Sequence, residues 1–457
     1  MRAPHKKQAG QILVMVALSA VVLIGSVGLA LDSALGYLVK AKLNAAVDAA
    51  SLAAARGVSA GDSRDAQEAN ARLSARKFFN INYPDKFLLS TPTLEPVEVH
   101  FDGGTVTIDV AARASLPVSL MGVLGFKTLE VSARAQTVRK DLDMVLVMDT
   151  SGSLVKNAEA VKAAGIAFLD KFNASMDRVG LLHFSSGAQI DVPIRTVERG
   201  FDRFAASTAI GQYHFDGGTN SAEGMWHARN QLRKIDASRR SSLRVIVFFS
   251  DGSPAAFSSH FFPADSGNCR KAGSIATWTD LPQGSATGVD GLYRIDVAGN
   301  NKLSPAEDCK ASALARLPDW YNASHDGETA SQAAGLHEFP IVTNAPRVVT
   351  SSLSTPQRGW TNVHRASRNL VEAMAAKARQ EDIFVFTLGM GSSLTKPEGP
   401  DKEKGEDLLR CLANAPDAKA ACRKPAEPVG LYCYAATESE LSPCFTRLAS
   451  AILRISK

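Results

Sequence analysis

Oxygen-bearing side chains stand in three separate segments of this 457-residue chain, in a combination that suits a hard metal ion. The segments supply two carboxylates and three hydroxyls: Asp149, Ser151, Ser153, Thr219 and Asp251. Mg²⁺ and Mn²⁺ prefer such oxygen ligands. Because two carboxylates neutralise a divalent cation and hydroxyls add no charge, a coordination position remains for a carboxylate from outside. The residues therefore predict a Mg²⁺ (or Mn²⁺) site that binds an Asp or Glu of a protein partner.

The apolar pattern around these residues predicts that they lie at one edge of a parallel sheet. Asp149 and Asp251 each follow a continuous apolar run (residues 143–148 and 244–249), which is typical of a strand buried on both faces. The pattern predicts further strands at 179–184, 189–194, 383–388 and 431–435, and helices at 154–172, 221–234, 363–379 and 438–455. This alternation indicates an α/β fold with a doubly wound, mostly parallel, Rossmann-like sheet. Ligands of such sheets bind beyond the carboxyl ends of the strands.

The same five residues resemble a known metal site. The order Asp149-x-Ser151-x-Ser153, then Thr219, then Asp251 is similar to the metal-ion-dependent adhesion site (MIDAS) of von Willebrand factor type A domains. The resemblance covers about residues 143–456 and implies that the three hydroxyls coordinate the ion, with the two carboxylates bound directly or through water. The alternative is that Asp149, Ser151 and Asp251 serve only as helix caps and turn formers.

The N-terminal segment predicts a membrane anchor. Residues 12–31 carry no charge, and twenty helical residues span about 30 Å, the thickness of a bilayer's hydrocarbon core. Basic residues precede this run and Asp32 closes it, so the positive-inside rule leaves the N-terminus in the cytoplasm and exports the rest of the chain. A cleaved signal peptide is the alternative.

Residues 33–140 predict a small α+β membrane-proximal module. Helical patterns at 33–56 and 62–79 are followed by short alternating strands between 97 and 138. The anchor and the Ala-rich stretch 41–55 resemble the TadE/TadG-like tight-adherence (Flp) pilus assembly proteins, whose TadG type also carries a C-terminal type A domain. That resemblance implies a protein of the bacterial inner membrane with its C-terminal domain periplasmic or extracellular. Met15 stands where pilin-like members carry a Glu after the processing glycine, so processing at Gly10 is not expected.

All six cysteines lie in the C-terminal half of the chain, from Cys269 onward. An even number in an exported protein favours disulfides, and six cysteines allow 15 pairings. Zinc ligands and free thiols are the alternatives. Residues from about 254 to 360 are rich in Ser, Gly, Asn, Asp and Pro, and indicate an insertion in which we expect a Cys269–Cys309 bridge.

These patterns divide the chain into a cytoplasmic tip and anchor (1–32), the module (33–140) and the type A domain with its insertion (141–457). The net charge of +5, from 51 Lys and Arg against 46 Asp and Glu, gives no support for nucleic-acid binding. With no catalytic residue in view and no organic cofactor expected, we predict a non-enzymatic pilus assembly or adhesion protein. The alternatives are a metal-dependent hydrolase that uses a metal-bound water, and a structural surface protein whose metal only stabilises the fold.

Overall fold

A computed structural model describes residues 9–58, 64–102, 105–241, 243–261, 272–281, 283–285, 287–303, 310–314, 316–321 and 338–455. The chain divides into two compact units, one that ends at Arg139 and one from Lys140 to Ser456. Each unit is described by itself below.

A very long helix and a small sheet form the N-terminal unit. Its elements are α1 (Ala9–Gly57), α2 (Arg64–Asn82), β1 (Thr91–Leu94), β2 (Glu98–Asp102), β3 (Thr105–Pro117) and β4 (Thr128–Lys140). The central strand β3 pairs with β1 and β2 in antiparallel orientation and also with β4. The sequence pattern predicted both helices, but it missed β1, and it underestimated the 13-residue length of β3.

The two halves of α1 have different surroundings. In the second half, Val39, Leu43, Val47, Ala50 and Ala54 lie three or four residues apart and are fully buried, as expected for the core-facing stripe of a helix. In the first half, the large apolar side chains between residues 12 and 31 are 44–75% exposed. By length and composition, α1 is long and apolar enough to cross a membrane.

The C-terminal unit is built on a six-stranded sheet. The described strands of the whole unit are β5 (Leu142–Asp149), β6 (Arg178–Phe184), β7 (Ala188–Val192), β8 (Leu243–Ser250), β9 (Ala256–His260), β10 (Ala272–Ala276), β11 (Asp290–Tyr293), β12 (Ile383–Met390), β13 (Pro397–Glu398), β14 (Glu403–Lys404) and β15 (Tyr432–Ala435). Its described α-helices are α3 (Ala158–Leu169), α4 (Arg203–Gly211), α5 (Ser221–Arg233), α6 (Pro356–Gln380), α7 (Gly405–Leu412) and α8 (Glu438–Ile455). The strand order in the large sheet is β15–β12–β8–β5–β6–β7.

The sheets of this unit are mixed, with antiparallel strands beside the parallel ones that the sequence pattern predicted. In the large sheet β15, β12, β8, β5 and β6 are parallel, whereas the edge strand β7 is antiparallel to β6. Only residues 185–187 connect β6 to β7, and a parallel crossover needs a dozen residues or more. The smaller sheets, β9–β10–β11 and β13–β14, are antiparallel throughout.

Both faces of the large sheet are covered by apolar layers, as in a doubly wound fold. Alternate residues of β5 enter the two layers. Met144 and Leu146 belong to the layer that includes Phe168 of α3 and Phe445 of α8. Val145 and Val147 belong to the other layer, which also holds side chains of α5 and α6. This burial on both faces fixes where β5 ends, and with it the position of Asp149.

The predicted insertion at 254–360 is partly structured. Its described residues include the three-stranded β9–β10–β11 sheet, which contributes Phe257, Ile275 and Leu292 to the apolar layer beside α5 and α6. Helix α6 begins seven residues before the predicted Val363, because Thr355 caps it and Pro356 suits its first turn.

Two disulfides lie in the described part of the chain: Cys411–Cys422 and Cys433–Cys444. The first joins α7 to the loop that follows it, and the second joins β15 to α8. Disulfide formation was predicted, and the structure adds the pairing that spacing alone left open. The expected Cys269–Cys309 bridge lies outside the described residues.

Candidate functional site

Two neighbouring strands bring the predicted carboxylates together. Asp149 is the last residue of β5, and Asp251 directly follows β8. The two strands are adjacent and parallel, with Met148 opposite Phe249. Their carboxyl ends therefore meet at one edge of the sheet, and loops from that edge supply the remaining oxygen atoms.

Asp149 is fully buried and is held by its own loop and by β8. Its Oδ1 accepts a hydrogen bond from the Ser151 backbone N–H at 2.8 Å, and its Oδ2 accepts one from the Ser250 hydroxyl at 2.6 Å. These bonds fix the carboxylate at the start of the β5 loop.

The hydroxyls of that loop connect it to the second carboxylate. Ser151 Oγ and Ser153 Oγ lie 3.2 Å apart, and Ser153 Oγ donates to Asp251 Oδ1 at 2.9 Å. Ser151 and Asp251 are buried, whereas Ser153 is exposed. Four of the five predicted residues thus form one cluster that reaches solvent at Ser153.

Backbone hydrogen bonds place Thr219, the fifth predicted residue, beside this cluster. Gly152 N–H donates to the Gly217 carbonyl at 3.1 Å, which joins the Thr219 loop to the β5 loop. The Thr219 carbonyl accepts from Ala255 N–H at 3.1 Å. A Cβ on Gly252 would lie 3.6 Å from Thr219 Oγ1, so this hydroxyl stands next to the turn that carries Asp251.

Asn220 explains why the Thr219 loop is well fixed. Its side-chain oxygen caps α5 through the Glu223 N–H at 3.2 Å. Its side-chain amide donates to the Ser186 carbonyl and to the hydroxyls of Ser258 and Ser274 at 2.9–3.1 Å. Because Ser258 and Ser274 belong to β9 and β10, the inserted sheet supports the loop from behind.

The electrostatics of the cluster are unfavourable to two ionised carboxylates. Burial raises the pKa of Asp149 to about 6, despite the hydrogen bonds that it accepts. Burial, and then the negative charge of Asp149, raise the pKa of Asp251 well above its ordinary value. Glu398 in β13 acts on Asp251 in the same direction, and burial raises the pKa of Glu398 as well. The site therefore concentrates negative charge that a cation can offset.

Three residues at this edge were not among the predicted ligands. Ser250 bonds to Asp149, the Ser393 hydroxyl donates to the Asp251 carbonyl at 2.9 Å, and Glu398 influences Asp251 electrostatically. Ser250 could have been found from its place directly before Asp251. Ser393 and Glu398 follow β12, the strand next to β8, so the rule that ligands gather at carboxyl ends would have pointed to them.

The residues present fit a hard divalent cation. In the part of the chain that the structure describes, Asp149 and Asp251 accept hydrogen bonds from hydroxyls and from backbone amides. None of these donors is a Lys or Arg side chain. Serine and threonine hydroxyls can accept as well as donate, so they can turn a lone pair towards a cation. The combination of carboxylate and hydroxyl oxygens matches the preference of Mg²⁺ and Mn²⁺.

Two family models match separate parts of the chain. A model described as von Willebrand factor type A domain matches residues 144–253, a range that includes all five predicted ligands. The matched range spans most of β5 and the elements from α3 to β8 of the C-terminal unit. A model described as putative Flp pilus-assembly TadE/G-like matches residues 10–57, which lie in α1. No curated protein sequence matches the chain.

Several solved structures resemble the chain distantly. The pilus adhesin SpaC from Lactobacillus rhamnosus GG, in its open conformation, is 16% identical; the match covers 80% of this chain and 34% of that chain, with a TM-score of 0.38. The PilB minor pilin from Streptococcus sanguinis is 14% identical over 80% of this chain and 79% of that chain, also with a TM-score of 0.38. The vWF domain of the type V pili tip protein Mfa5 from Porphyromonas gingivalis is 14% identical over 70% of this chain and 98% of that chain, with a TM-score of 0.37. At TM-scores this low, the likenesses carry no conclusion about this chain.

Proposed function

We propose that this protein is a membrane-anchored, exported, non-enzymatic pilus assembly or adhesion protein whose type A domain binds a protein partner through a divalent metal ion. The observation that carries the proposal is the contact between Asp149, Ser151, Ser153 and Asp251 at the carboxyl ends of β5 and β8. This contact concentrates two carboxylates and two hydroxyls, with Thr219 beside them. A type A domain match over the same residues supports it.

A bound Mg²⁺ (or Mn²⁺) would supply a coordination position for a carboxylate from the partner. Asp149 and Asp251 would balance the charge of the ion, and Ser151, Ser153 and Thr219 would offer neutral oxygen atoms. Because these two carboxylates carry no excess charge over a divalent cation, the site does not repel an Asp or Glu of the partner, which can bind at the open coordination position. The exposed Ser153 marks the side from which the partner approaches.

The membrane and pilus parts of the proposal rest on α1. Its uncharged run and the TadE/G-like match at residues 10–57 support a single-pass anchor in a bacterial inner membrane. Basic residues before the run support an orientation with the N-terminus in the cytoplasm and the C-terminal unit in the periplasm or outside the cell. We propose another pilus assembly component as the partner.

The surroundings of the two serines support a non-enzymatic role. A serine nucleophile needs an adjacent base to take its proton. In the part of the chain that the structure describes, the hydroxyls of Ser151 and Ser153 bond to each other, Ser153 also donates to Asp251, and no hydrogen bond joins either hydroxyl to a histidine.

Metal binding is the first test. The full chain in detergent micelles is titrated with Mn²⁺, and loss of the free-ion electron paramagnetic resonance signal measures binding. We expect one bound ion that Mg²⁺ displaces, and Asp251→Ala to weaken the affinity by about 100-fold or more. Asp170→Ala is the matched control, because the Asp170 side chain is 59% exposed and Asp170 directly follows the last residue of α3. Unchanged affinity in Asp251→Ala would contradict the site.

Partner binding is the second test. The immobilised full chain is incubated with detergent-solubilised envelopes of a piliated strain, with Mg²⁺ or with chelator, and captured pilus components are quantified. We expect capture only with the metal, and loss of capture for Asp149→Ala but not for Asp170→Ala. Equal capture with chelator would leave the pilus assignment standing and overturn the metal-mediated contact.

A further inference from the structure

The connection between β3 and β4, residues 118–127, is unusually apolar for an exposed loop. From Ala114 to Phe126 the chain carries no charged residue. The loop is closed at its base by a hydrogen bond from Val118 N–H to the Lys127 carbonyl at 3.3 Å. It turns at Gly125, whose φ of +90° favours glycine. We call residues 118–127 the β3–β4 loop.

Asp32 of α1 binds this loop through the backbone. Its Oδ1 accepts from Ser119 N–H at 2.9 Å, and its Oδ2 accepts from Leu120 N–H at 3.1 Å and from Met121 N–H at 2.9 Å. One buried carboxylate therefore satisfies three consecutive amides of an apolar loop. Backbone amides need such internal partners wherever lipid replaces water.

The loop also touches α1 one turn before Asp32. A Cβ added to Gly28 would lie 2.6 Å from Leu120 Cβ and 3.2 Å from Met121 N, so loop and helix are in direct contact there. Gly28 lies three residues inside the uncharged run that ends at Leu31. At 1.5 Å per residue, this contact is about 4–5 Å inside the apolar end of the helix.

Large apolar side chains of the loop and of the neighbouring part of α1 are exposed. Phe126 is 54% exposed, and Leu29 and Leu31 of α1 are 53% and 52% exposed. Lys127, also exposed, follows Phe126 at the base of the loop, where its ammonium can reach a headgroup while its stem stays apolar.

We propose that the β3–β4 loop is a second membrane contact of this protein, which enters the exported-side surface of the lipid bilayer beside α1. The occupant is lipid, since the loop meets α1 inside the segment that has the length and composition to span a membrane. In this arrangement Asp32 keeps the amides of Ser119, Leu120 and Met121 satisfied at the bilayer surface. The inference rests on the proposed function in one respect, which is that α1 crosses a membrane.

Tryptophan quenching by brominated lipid tests this proposal in the full chain. All four native tryptophans (Trp226, Trp278, Trp320 and Trp360) lie in the C-terminal unit, so their signal is subtracted with the wild-type protein. Three variants are placed in phosphatidylcholine nanodiscs with plain or brominated acyl chains. Phe126→Trp reports on the loop, Val22→Trp on the middle of the apolar run, and Leu73→Trp on an exposed position of α2 in the same unit.

We expect quenching of Phe126→Trp and Val22→Trp, and none of Leu73→Trp. Quenching of Val22→Trp alone would overturn the loop contact and leave the anchor intact. Absence of quenching at both positions would overturn the anchor itself. Quenching of Leu73→Trp as strongly as of Phe126→Trp would show that the loop is not a specific contact.

A second substitution tests the role of the helix surface. Gly28→Leu, added to Phe126→Trp, places a side chain where Leu120 already lies, so we expect at least a twofold loss of quenching at Phe126→Trp. Val27→Leu is the matched control, because Val27 is 51% exposed. Equal quenching in both double variants would show that docking on α1 does not position the loop.

Discussion

Asp32 and Asp149 are both inaccessible to solvent, but their carboxylates accept hydrogen bonds from different sets of donors. The oxygens of Asp32 accept three backbone N–H groups. Those of Asp149 accept the backbone N–H groups of Ser151 and Asp251 and the hydroxyls of Ser151 and Ser250, and Asp149 repels the carboxylate of Asp251. Each of the two aspartates follows an apolar run, Asp32 within helix α1 and Asp149 at the end of strand β5.

The difference shows what decides whether a buried carboxylate can bind a cation. The three backbone amides around Asp32 can only donate, so they offer a cation no oxygen ligand, and the Ser119 hydroxyl also donates to this carboxylate. Hydroxyls can also accept, so Ser151, Ser153 and Thr219 can turn towards a cation that the two carboxylates attract. On this account Asp32 fastens a loop, whereas Asp149 belongs to a metal site.

The largest expected effect separates the two aspartates directly. Asp149→Ala should weaken Mn²⁺ binding by about 100-fold or more, because it removes a charged ligand. Asp32→Ala should leave the affinity unchanged. Mn²⁺ titration of both variants in the full chain makes the measurement. A comparable loss in Asp32→Ala would contradict the distinction.

A second prediction concerns the stability of the metal-free protein. In the folded protein the pKa of Asp149 is about 6, above the ordinary value of an aspartate. At a pH between these two values, the folded state therefore binds a proton that the unfolded state does not. Ionisation of Asp149 therefore destabilises the fold as pH rises from about 4 to about 6, and the loss persists at higher pH. Asp149→Asn should accordingly stabilise the chelator-treated protein by about 2–3 kcal/mol at neutral pH.

Urea unfolding followed by tryptophan fluorescence measures this difference. The gain of Asp149→Asn over the wild type should shrink as pH falls from about 7 to about 4, because the carboxyl of the folded wild type becomes protonated. Asp170→Asn serves as the exposed control and should change little. A chelator-treated Asp149→Asn protein that is less stable than the wild type at neutral pH would contradict the charge argument.

A smaller effect on metal affinity is expected when the Ser250 hydroxyl, which bonds to Asp149, is removed. Ser250 holds Asp149 Oδ2 at 2.6 Å without being a predicted ligand. Ser250→Ala should therefore reduce Mn²⁺ affinity by about tenfold, as is usual when a residue that orients a ligand is lost. Calorimetric titration of Mn²⁺ into the full chain measures it. A loss as large as that of Asp149→Ala would mean that Ser250 is itself a ligand.

The smallest effect tests the other side of the comparison. Asp32→Asn keeps one acceptor oxygen, so at least one of the three amide bonds to residues 119–121 is weakened. Amide hydrogen exchange of this segment, measured by mass spectrometry, should accelerate by about tenfold. Exchange in β5 should not change. Unaltered exchange at residues 119–121 would show that the carboxylate does not hold the loop.

The sequence was sufficient where local pattern determines structure. The buried apolar runs predicted both β5 and β8. The positions of Asp149 and Asp251 at the carboxyl ends of these runs predicted that the two side chains would meet. Helix α1 was predicted from its uncharged run and its Ala-rich continuation. The strand at 189–194 was predicted, but the antiparallel orientation of β7 was not, because a short parallel strand and a short antiparallel strand have the same apolar pattern.

The remaining features depend on contacts between distant parts of the chain. Nothing near Asp32 indicates that it binds residues 119–121, which lie almost ninety positions away. Glu398 was missed because it reaches the site from a two-residue strand. Asn220 could be recognised as a helix cap, but its bonds to β9 and β10 required the fold of the insertion.

Anomalous X-ray diffraction from crystals of the full chain grown with Mn²⁺ tests the central claim most directly. The account predicts one strong anomalous peak in the C-terminal unit, in contact with oxygen atoms of Asp149, Ser151, Ser153, Thr219 and Asp251. A Mn²⁺ peak elsewhere, or no peak at this cluster when the crystals are saturated with the ion, would contradict it.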